Sequence, residues 1–296
     1  MSTTRPPLDE SLRDAYLRRL GFSTVPPATE ETLFAVHRAQ VERIPYEDVW
    51  LWLGERRTID PLDSIRYLVD GRGGYCYHHN GAMATLLSWL GFDVRWHLGG
   101  VQGHPDAAPN VAGNHLALTV GAEWYIDAGL GDGIHEPLPL ATGTYQQGPF
   151  TYGLEPSTVA PGGWRFLADP VMSLHAMDFL PGDTTLAELA DEHENLQSSS
   201  ESSFNRVLVA FRRDATGVDY LRGRMLKRMA ENTDVEEVAT SVDWFACLAD
   251  VFDLPLSDVD DDRKALLWKK VTKAHEEWLA APPGPRRLAA MQTPPG

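Results

Sequence analysis

The segment Arg72-Gly73-Gly74-Tyr75-Cys76-Tyr77-His78-His79-Asn80 holds the side chain best placed for covalent chemistry. Two glycines permit a tight turn and the close approach of a ligand. Beyond them Met83, Leu86, Leu87 and Leu90 recur at helical spacing, and Gly91 closes the run. Cys76 is therefore expected at or near the N-terminus of a buried helix. Unpaired backbone N–H groups and the helix dipole favour an anion there, and a thiolate is such an anion. That placement makes Cys76 a candidate nucleophile. Cys247, the only other cysteine, lies among Trp244, Phe245 and Leu248 and reads as core.

A nucleophilic cysteine needs a base. His78 faces away from Cys76 on a helix and His79 sits one turn further along, so a base from another element is geometrically better. His115 fits. In Asn114-His115-Leu116-Ala117-Leu118-Thr119-Val120, the leucines and Val120 share one strand face and His115, Ala117 and Thr119 the other. The small neighbours leave room for substrate. His97 and His104 compete less well, because no carboxylate stands on the strand that follows either. Asp127 ends Glu123-Trp124-Tyr125-Ile126, and register decides its use. A two-residue turn would point it away from His115. A three-residue turn, Gly121-Ala122-Glu123, pairs Val120 with Trp124 and brings Asp127 diagonally beside His115 on one face. The chemistry this permits is a Cys76 thiolate attacking an activated carbonyl, with His115 taking the proton and Asp127 fixing the imidazole. Thioesters suit it, because exchange between sulfurs is nearly isoenergetic. The loop Gly129-Leu130-Gly131 follows directly and is expected to wall the acyl or cofactor pocket.

These residues must be positioned by surrounding elements. The first ninety residues read as helical: a stripe of Leu12, Tyr16, Leu17 and Leu20 stopped by Gly21, a second helix capped by Thr29 and ended by Pro45, and a third over Leu62–Val69. After Gly91, Phe92–Leu98, Asn114–Val120 and Trp124–Ile126 look like strands, and glycine-punctuated Leu138–Leu180 continues as a small antiparallel barrel or sandwich. The acidic, serine-rich stretch Asp183–Glu201 reads as a solvated connection. Residues 204–211 read as a strand, and Val235–Phe252 and Val259–Leu279 as helices, the latter opening at Ser257 and Asp258. The Pro- and Gly-rich tail from Pro282 reads as frayed.

The chain of 296 residues carries 26 basic and 42 acidic side chains, a formal charge of −16. That balance argues against nucleic-acid partners. No apolar run approaches the roughly 20 residues that span a bilayer. The opening MSTTRPPLDE lacks a secretory pattern, so a cytoplasmic location is expected.

The sequence resembles the arylamine N-acetyltransferase family. The likeness lies in Tyr16-Leu17-Arg18-Arg19-Leu20-Gly21 (family YLxRIG), Ile44-Pro45-Tyr46-Glu47-Asp48-Val49 (IPFENL), the RGG-x-C run to Cys76, the later His and Asp, Asp127-Ala128-Gly129-Leu130-Gly131 (D followed by VGFG), and Asn195, Ser198, Ser203 and Phe204. The resemblance implies an α+β fold: an N-terminal helical bundle (1–91) carrying the cysteine, a central antiparallel β-barrel (92–200) carrying His and Asp, and a C-terminal α/β lid (201–281). Bundle and barrel together resemble cysteine proteases and transglutaminases. It implies Cys76, His115 and Asp127 as the triad, and Tyr46, Val101, Gly129, Leu130 and Gly131 as pocket residues. It implies ping-pong acetyl transfer from acetyl-CoA, a co-substrate rather than a resident cofactor, to arylamines, hydrazines or arylhydroxylamines, with no metal and no membrane partner. Departures stand at Tyr77-His78 for Phe-Glu, Gln40 for His, Gly100 for Arg and Leu130 for Phe. Small Gly100 and Leu130 lean toward a bulky substrate. The same pattern is similar to natural-product amide synthases, which join a carrier-protein-bound acyl chain to an amine. Hydrolysis by the same triad and a structural zinc site at Cys76-x-His78-His79 are further readings.

Overall fold

Glycines in the left-handed region close two of the N-terminal helices, Gly21 at φ +90° and Gly91 at φ +104°. The computed structural model describes residues 8–280. The helices are α1 (Glu10–Arg19), α2 (Glu30–Arg43), the short α3 (Val49–Trp52), α4 (Pro61–Val69) and α5 (Cys76–Leu90), with the two-residue strand β1 (Tyr46–Glu47) between α2 and α3. Thr29 caps α2 by accepting from the Thr32 amide, and Asp60 caps α4 with Pro61 at its first position. Helix α5 is buried on nearly every side, packed among Tyr16, Leu33, Ile65 and Trp96.

Strands β2 (Val94–Gln102), β3 (His115–Val120), β4 (Trp124–Ile126), β5 (Leu138–Pro139), β6 (Gly143–Gln147), β7 (Phe150–Pro156), β8 (Trp164–Leu167) and β9 (Ala176–Phe179) form an eight-stranded antiparallel sheet in the order β5-β4-β3-β2-β9-β8-β7-β6. The sheet curls into a nearly closed barrel. One face of β3, with Leu116 and Leu118, packs on the helical bundle. The other, with Ala117, faces a barrel interior filled by Tyr125, Tyr152, Phe166 and Phe179.

The acidic stretch is not a loop: Leu186–Ser198 is helix α6. Thr185 and Glu188 form a capping box, the Glu188 carboxylate accepting from the Thr185 amide at 2.8 Å, and Leu189 and His193 are buried. The expected strand over 204–211 is also displaced. Ser203–Asn205 is a 3₁₀ turn that carries Phe204 inward to stack on Tyr75, and strand β10 runs Val209–Asp214. It continues as a meander through β11 (Gly217–Arg222), β12 (Met225–Met229) and β13 (Thr233–Glu237), giving a five-stranded sheet β1-β10-β11-β12-β13. Val235 is thus in a strand. The helix expected from there, α7 (Ser241–Asp250), starts where Thr240 accepts from the Asp243 amide. The last helix, α8 (Asp261–Ala280), starts at the Asp260 side chain rather than at Ser257 or Asp258, because Asp260 accepts from the Arg263 amide at 2.8 Å. The expected frayed tail lies outside the described residues. No helix among those described is long and apolar enough to cross a membrane.

Candidate active site

The turn that delivers Cys76 is built so that only glycine fits twice. A Cβ on Gly73 would lie 2.0 Å from the Pro45 carbonyl, and one on Gly74 would lie 2.6 Å from His78 Cβ. The buried Glu47 carboxylate accepts from the amides of Gly73 at 3.1 Å and Val49 at 2.6 Å, and Arg57 donates to the Gly73 carbonyl at 2.9 Å. Tyr75 is the N-cap in extended conformation, and its amide donates to His78 Nδ1 at 3.3 Å. His78 thus supplies at the third helical position the acceptor that a capping-box Glu would. Burial, with the charge of Arg57, keeps its imidazole neutral by pushing its pKa well below the usual range. Cys76 is the first residue of α5, so its own amide and that of Tyr77 have no acceptor within the helix.

The β3–β4 register pairs Val120 with Trp124 and Leu118 with Ile126, so the turn has three residues. His115 Nε2 stands 2.8 Å from Asp127 Oδ2, and the neighbouring Cys76 side chain adds to the pull that raises the imidazole's pKa. Burial alone would lower the His115 pKa. The charge and hydrogen bond of Asp127 and the contact with Cys76 overcome it and raise it to about 10. For Asp127 burial works upward, but His115, Asn80 and Tyr125 outweigh it and hold the carboxyl below its ordinary value. Four donors surround that carboxylate. His115 and Tyr125 reach Oδ2, each at 2.8 Å, while the Asn80 amide at 2.7 Å and the Gly129 amide at 2.9 Å reach Oδ1. A buried ion with every lone pair engaged and an opposite charge beside it stays ionised.

The remaining pocket candidates surround this core. Gly129 abuts it: a Cβ there would lie 2.8 Å from Cys76 Cα. Gly131, at φ +74°, lies under the Phe211 ring, and Leu130 is buried in the barrel interior. Tyr46 stacks on His79 at 6.0 Å and meets Phe211 edge-on at 5.7 Å. Burial and the neighbouring Cys76 push its phenol well above the usual range. Val101 donates its amide to Asn114 Oδ1 at 2.8 Å, fixing the segment whose Asn114 carbonyl lies 3.7 Å from Cys76 Sγ. Gly100 opens no space for substrate. Its missing Cβ would lie 2.2 Å from the Asn110 carbonyl, so the following loop fills that volume.

The other histidines are engaged elsewhere. His97 Nε2 bonds Thr119 Oγ1 at 2.8 Å, and half-buried His104 lies by Asp106. His79 donates from Nε2 to the Pro45 carbonyl at 3.0 Å and accepts from Gln40 at Nδ1 at 3.1 Å, while Gln40 Oε1 accepts from Tyr16 at 2.6 Å. Among the described residues no three His, Cys, Asp or Glu side chains converge as metal ligands. Cys247 is buried with Trp244 and Leu248, and its thiol is pushed up to about 12, chiefly by burial.

Three contributors escape the sequence reading. Asn80 lies one turn beyond Cys76 on α5. Tyr125 precedes Asp127 by two positions and so shares its strand face. His37 accepts the Asp127 amide at 3.2 Å while bonded to the His135 carbonyl at 3.0 Å. A lone amide on an apolar helix and the i, i+2 strand spacing were visible signals for the first two. His37 has none, being brought in by tertiary packing.

A family model described as N-acetyltransferase matches residues 29–260. Over 141 residues the chain is 36% identical to an arylamine N-acetyltransferase of Mycolicibacterium smegmatis, a match that covers 45% of this chain and 51% of that one. It is 28% identical over 141 residues to the proansamycin X synthase of Amycolatopsis mediterranei, covering 45% of this chain and 54% of that one. The chain thus spans about half the length of these curated relatives. The fold is similar to that of the Mycobacterium marinum arylamine N-acetyltransferase solved in complex with CoA, with a TM-score of 0.78 and 25% identity over 88% of this chain and 98% of that one.

Proposed function

The chain belongs to the arylamine N-acetyltransferase family, and we propose that it moves an acetyl group from acetyl-CoA to an arylamine or hydrazine through a thioester on Cys76. The observation that carries this reading is the position of His115, in contact with Cys76 on one side and 2.8 Å from Asp127 on the other. With its pKa raised to about 10, the His115 imidazole is protonated at neutral pH and has a proton to give to a leaving group. The Cys76 sulfur attacks the thioester carbonyl, and the developing oxyanion is met by amides at the start of α5. CoA sulfur leaves with the proton from His115. The amine nitrogen then attacks the acetyl carbonyl, His115 takes the amine proton, and the Cys76 sulfur departs. Asp127 stays ionised throughout and fixes the ring.

The second reading is amide formation from a carrier-protein-bound acyl chain, supported by the likeness to proansamycin X synthase. In either case the acceptor is a small amine, and the reaction is assigned to the cytoplasm. Incubation with acetyl-CoA should add one acetyl mass to the Cys76 peptide and release CoA in a burst, unchanged in Cys247→Ala. Labelling that persists in Cys76→Ala would refute the nucleophile. Labelling by carrier-bound thioesters alone would select the amide synthase.

A further inference from the structure

A second cleft lies in the C-terminal region, between α8, α3 and the 3₁₀ turn at Ser203–Asn205. It encloses about 270 Å³, walled by Trp52, Trp278, Arg206 and Arg222, and adjoins a shallower recess of about 630 Å³ that shares Trp52, Trp278 and Arg206 and adds Lys270, Lys273 and Glu277. On a chain with 42 acidic and 26 basic residues most arginines find carboxylates: Arg57 and Arg72 pair with Glu55, and Arg228 pairs with Asp214 and Asp219. Arg206, Arg222 and Lys270 make no ion pair with a carboxylate among the described residues, and Lys273 has only the exposed Glu277 at 3.7 Å. Their visible contacts are weaker. Lys270 donates to the Trp52 carbonyl at 2.9 Å, Arg206 to the Glu201 carbonyl at 2.6 Å, and Arg222 lies 5.6 Å over the Trp278 ring. Each keeps donors to spare, since an ammonium has three and a guanidinium five. Four cations held around the cleft and its recess repel one another, and a ligand carrying several negative charges relieves that repulsion.

We propose that this cleft binds a phosphorylated aromatic ligand, the purine-nucleoside phosphate of a nucleotide, with its ring against the indoles and its phosphates across Arg206, Arg222, Lys270 and Lys273. Indole faces stack purines without demanding one base, and guanidinium groups bind phosphate oxygens in pairs. The cleft is distinct from the Cys76 site. Leu208, just before β10, lines it and clusters with Val49, Trp244 and Ala210 of β10. Val209 and Phe211 face the barrel, with Phe211 over Gly131. A physical link joins the two sites: Trp52 Nε1 donates to the Phe204 carbonyl at 3.0 Å, and the Phe204 ring stacks at 5.3 Å on Tyr75, the residue before Cys76. The inference stands whether or not Cys76 carries an acyl group.

The same chemistry is found in a free nucleotide and in the nucleotide end of CoA, so the test has two arms. The full chain is titrated calorimetrically with ADP and separately with CoA, as wild type, as Arg206→Gln/Lys270→Gln, and as Lys273→Glu, an exposed change that spares the fold. Each lost charge-assisted contact is expected to weaken binding about tenfold, and affinity should fall with added salt. Weakened ADP binding with CoA unaffected assigns the cleft to a free nucleotide. Weakened binding of CoA, alone or with ADP, assigns it to the donor's nucleotide end as well. Absence of binding by both at millimolar concentration, or equal binding by wild type and both variants, overturns the proposal.

Discussion

The side-chain amide of Asn80 donates to Asp127 Oδ1 at 2.7 Å and to the Leu116 carbonyl at 2.6 Å, while its oxygen accepts from the Ala128 amide at 2.9 Å. One buried side chain thus joins the cysteine's helix, the histidine's strand and the aspartate's loop. Replacing Asn80 with Ala leaves a carboxylate oxygen and a backbone amide short of partners. The expected cost is about 2–4 kcal/mol of stability and roughly one to two orders of magnitude in kcat/KM. Urea titration and steady-state kinetics check this. Unchanged kinetics would show that Asp127 does not need the clamp.

The His115–Asp127 pair gives a pH dependence of defined sign. The folded His115 value of about 10 lies above its ordinary 6.5. The pair's contribution to stability is therefore complete below about pH 6.5 and is lost as pH rises toward 10. The stability gap between wild type and His115→Asn should narrow over that interval in urea melts. At neutral pH, alkylation of Cys76 by iodoacetamide should be slower in His115→Asn than in the wild type.

Gly129→Ala tests the closeness of the glycine loop to the nucleophile. The added methyl would lie 2.8 Å from both Cys76 Cα and Asn80 Nδ2, neither of which can give way without moving the site. A fall of at least about tenfold in the rate of Cys76 acetylation is expected, with about 1–3 kcal/mol of destabilisation. Quench-flow labelling and thermal melts would measure both.

The buried chain from Tyr16 through Gln40 and His79 to the Pro45 carbonyl predicts that Gln40→Leu is poorly tolerated. It strands the Tyr16 hydroxyl and His79 Nδ1 away from water. The expected loss is about 2–5 kcal/mol. Gln40→His, which keeps a polar partner, should recover part of it. Chemical denaturation of the two variants distinguishes a hydrogen-bonding role from simple space filling.

Periodicity was informative wherever one face is apolar. The stripe of α1 and the run from Met83 to Leu90 in α5 could be read from residue order, whereas the three-residue turn before Trp124 was favoured over a two-residue one only because it brings Asp127 beside His115. It failed where charge holds an element together. The β10–β12 meander is laced by Arg228 with Asp214 and Asp219, so no clean alternation marks it. Helix α6 buries little besides Leu189 and His193, so its acidic surface hid it, although the Thr185…Glu188 spacing was a usable signal. At the site, residue types suggested Cys76, His115 and Asp127, whereas Asn80, Tyr125 and His37 depend on distances that only packing sets. Gly100 shows the opposite error. A small residue suggested room, but neighbouring backbone occupies it.

Strand β1 is only two residues long, yet Tyr46 bridges to Gly74 on one side and pairs with Phe211 on the other. The loop leading to Cys76 and the last sheet of the chain are therefore laid against the same short piece of backbone. Chimaeras that graft a relative's C-terminal half onto this N-terminal half would disturb the thiol's seating even with every neighbour of Cys76 retained. Divergence in the final hundred residues can in this way shift how Cys76 is seated without any change to Cys76, His115 or Asp127.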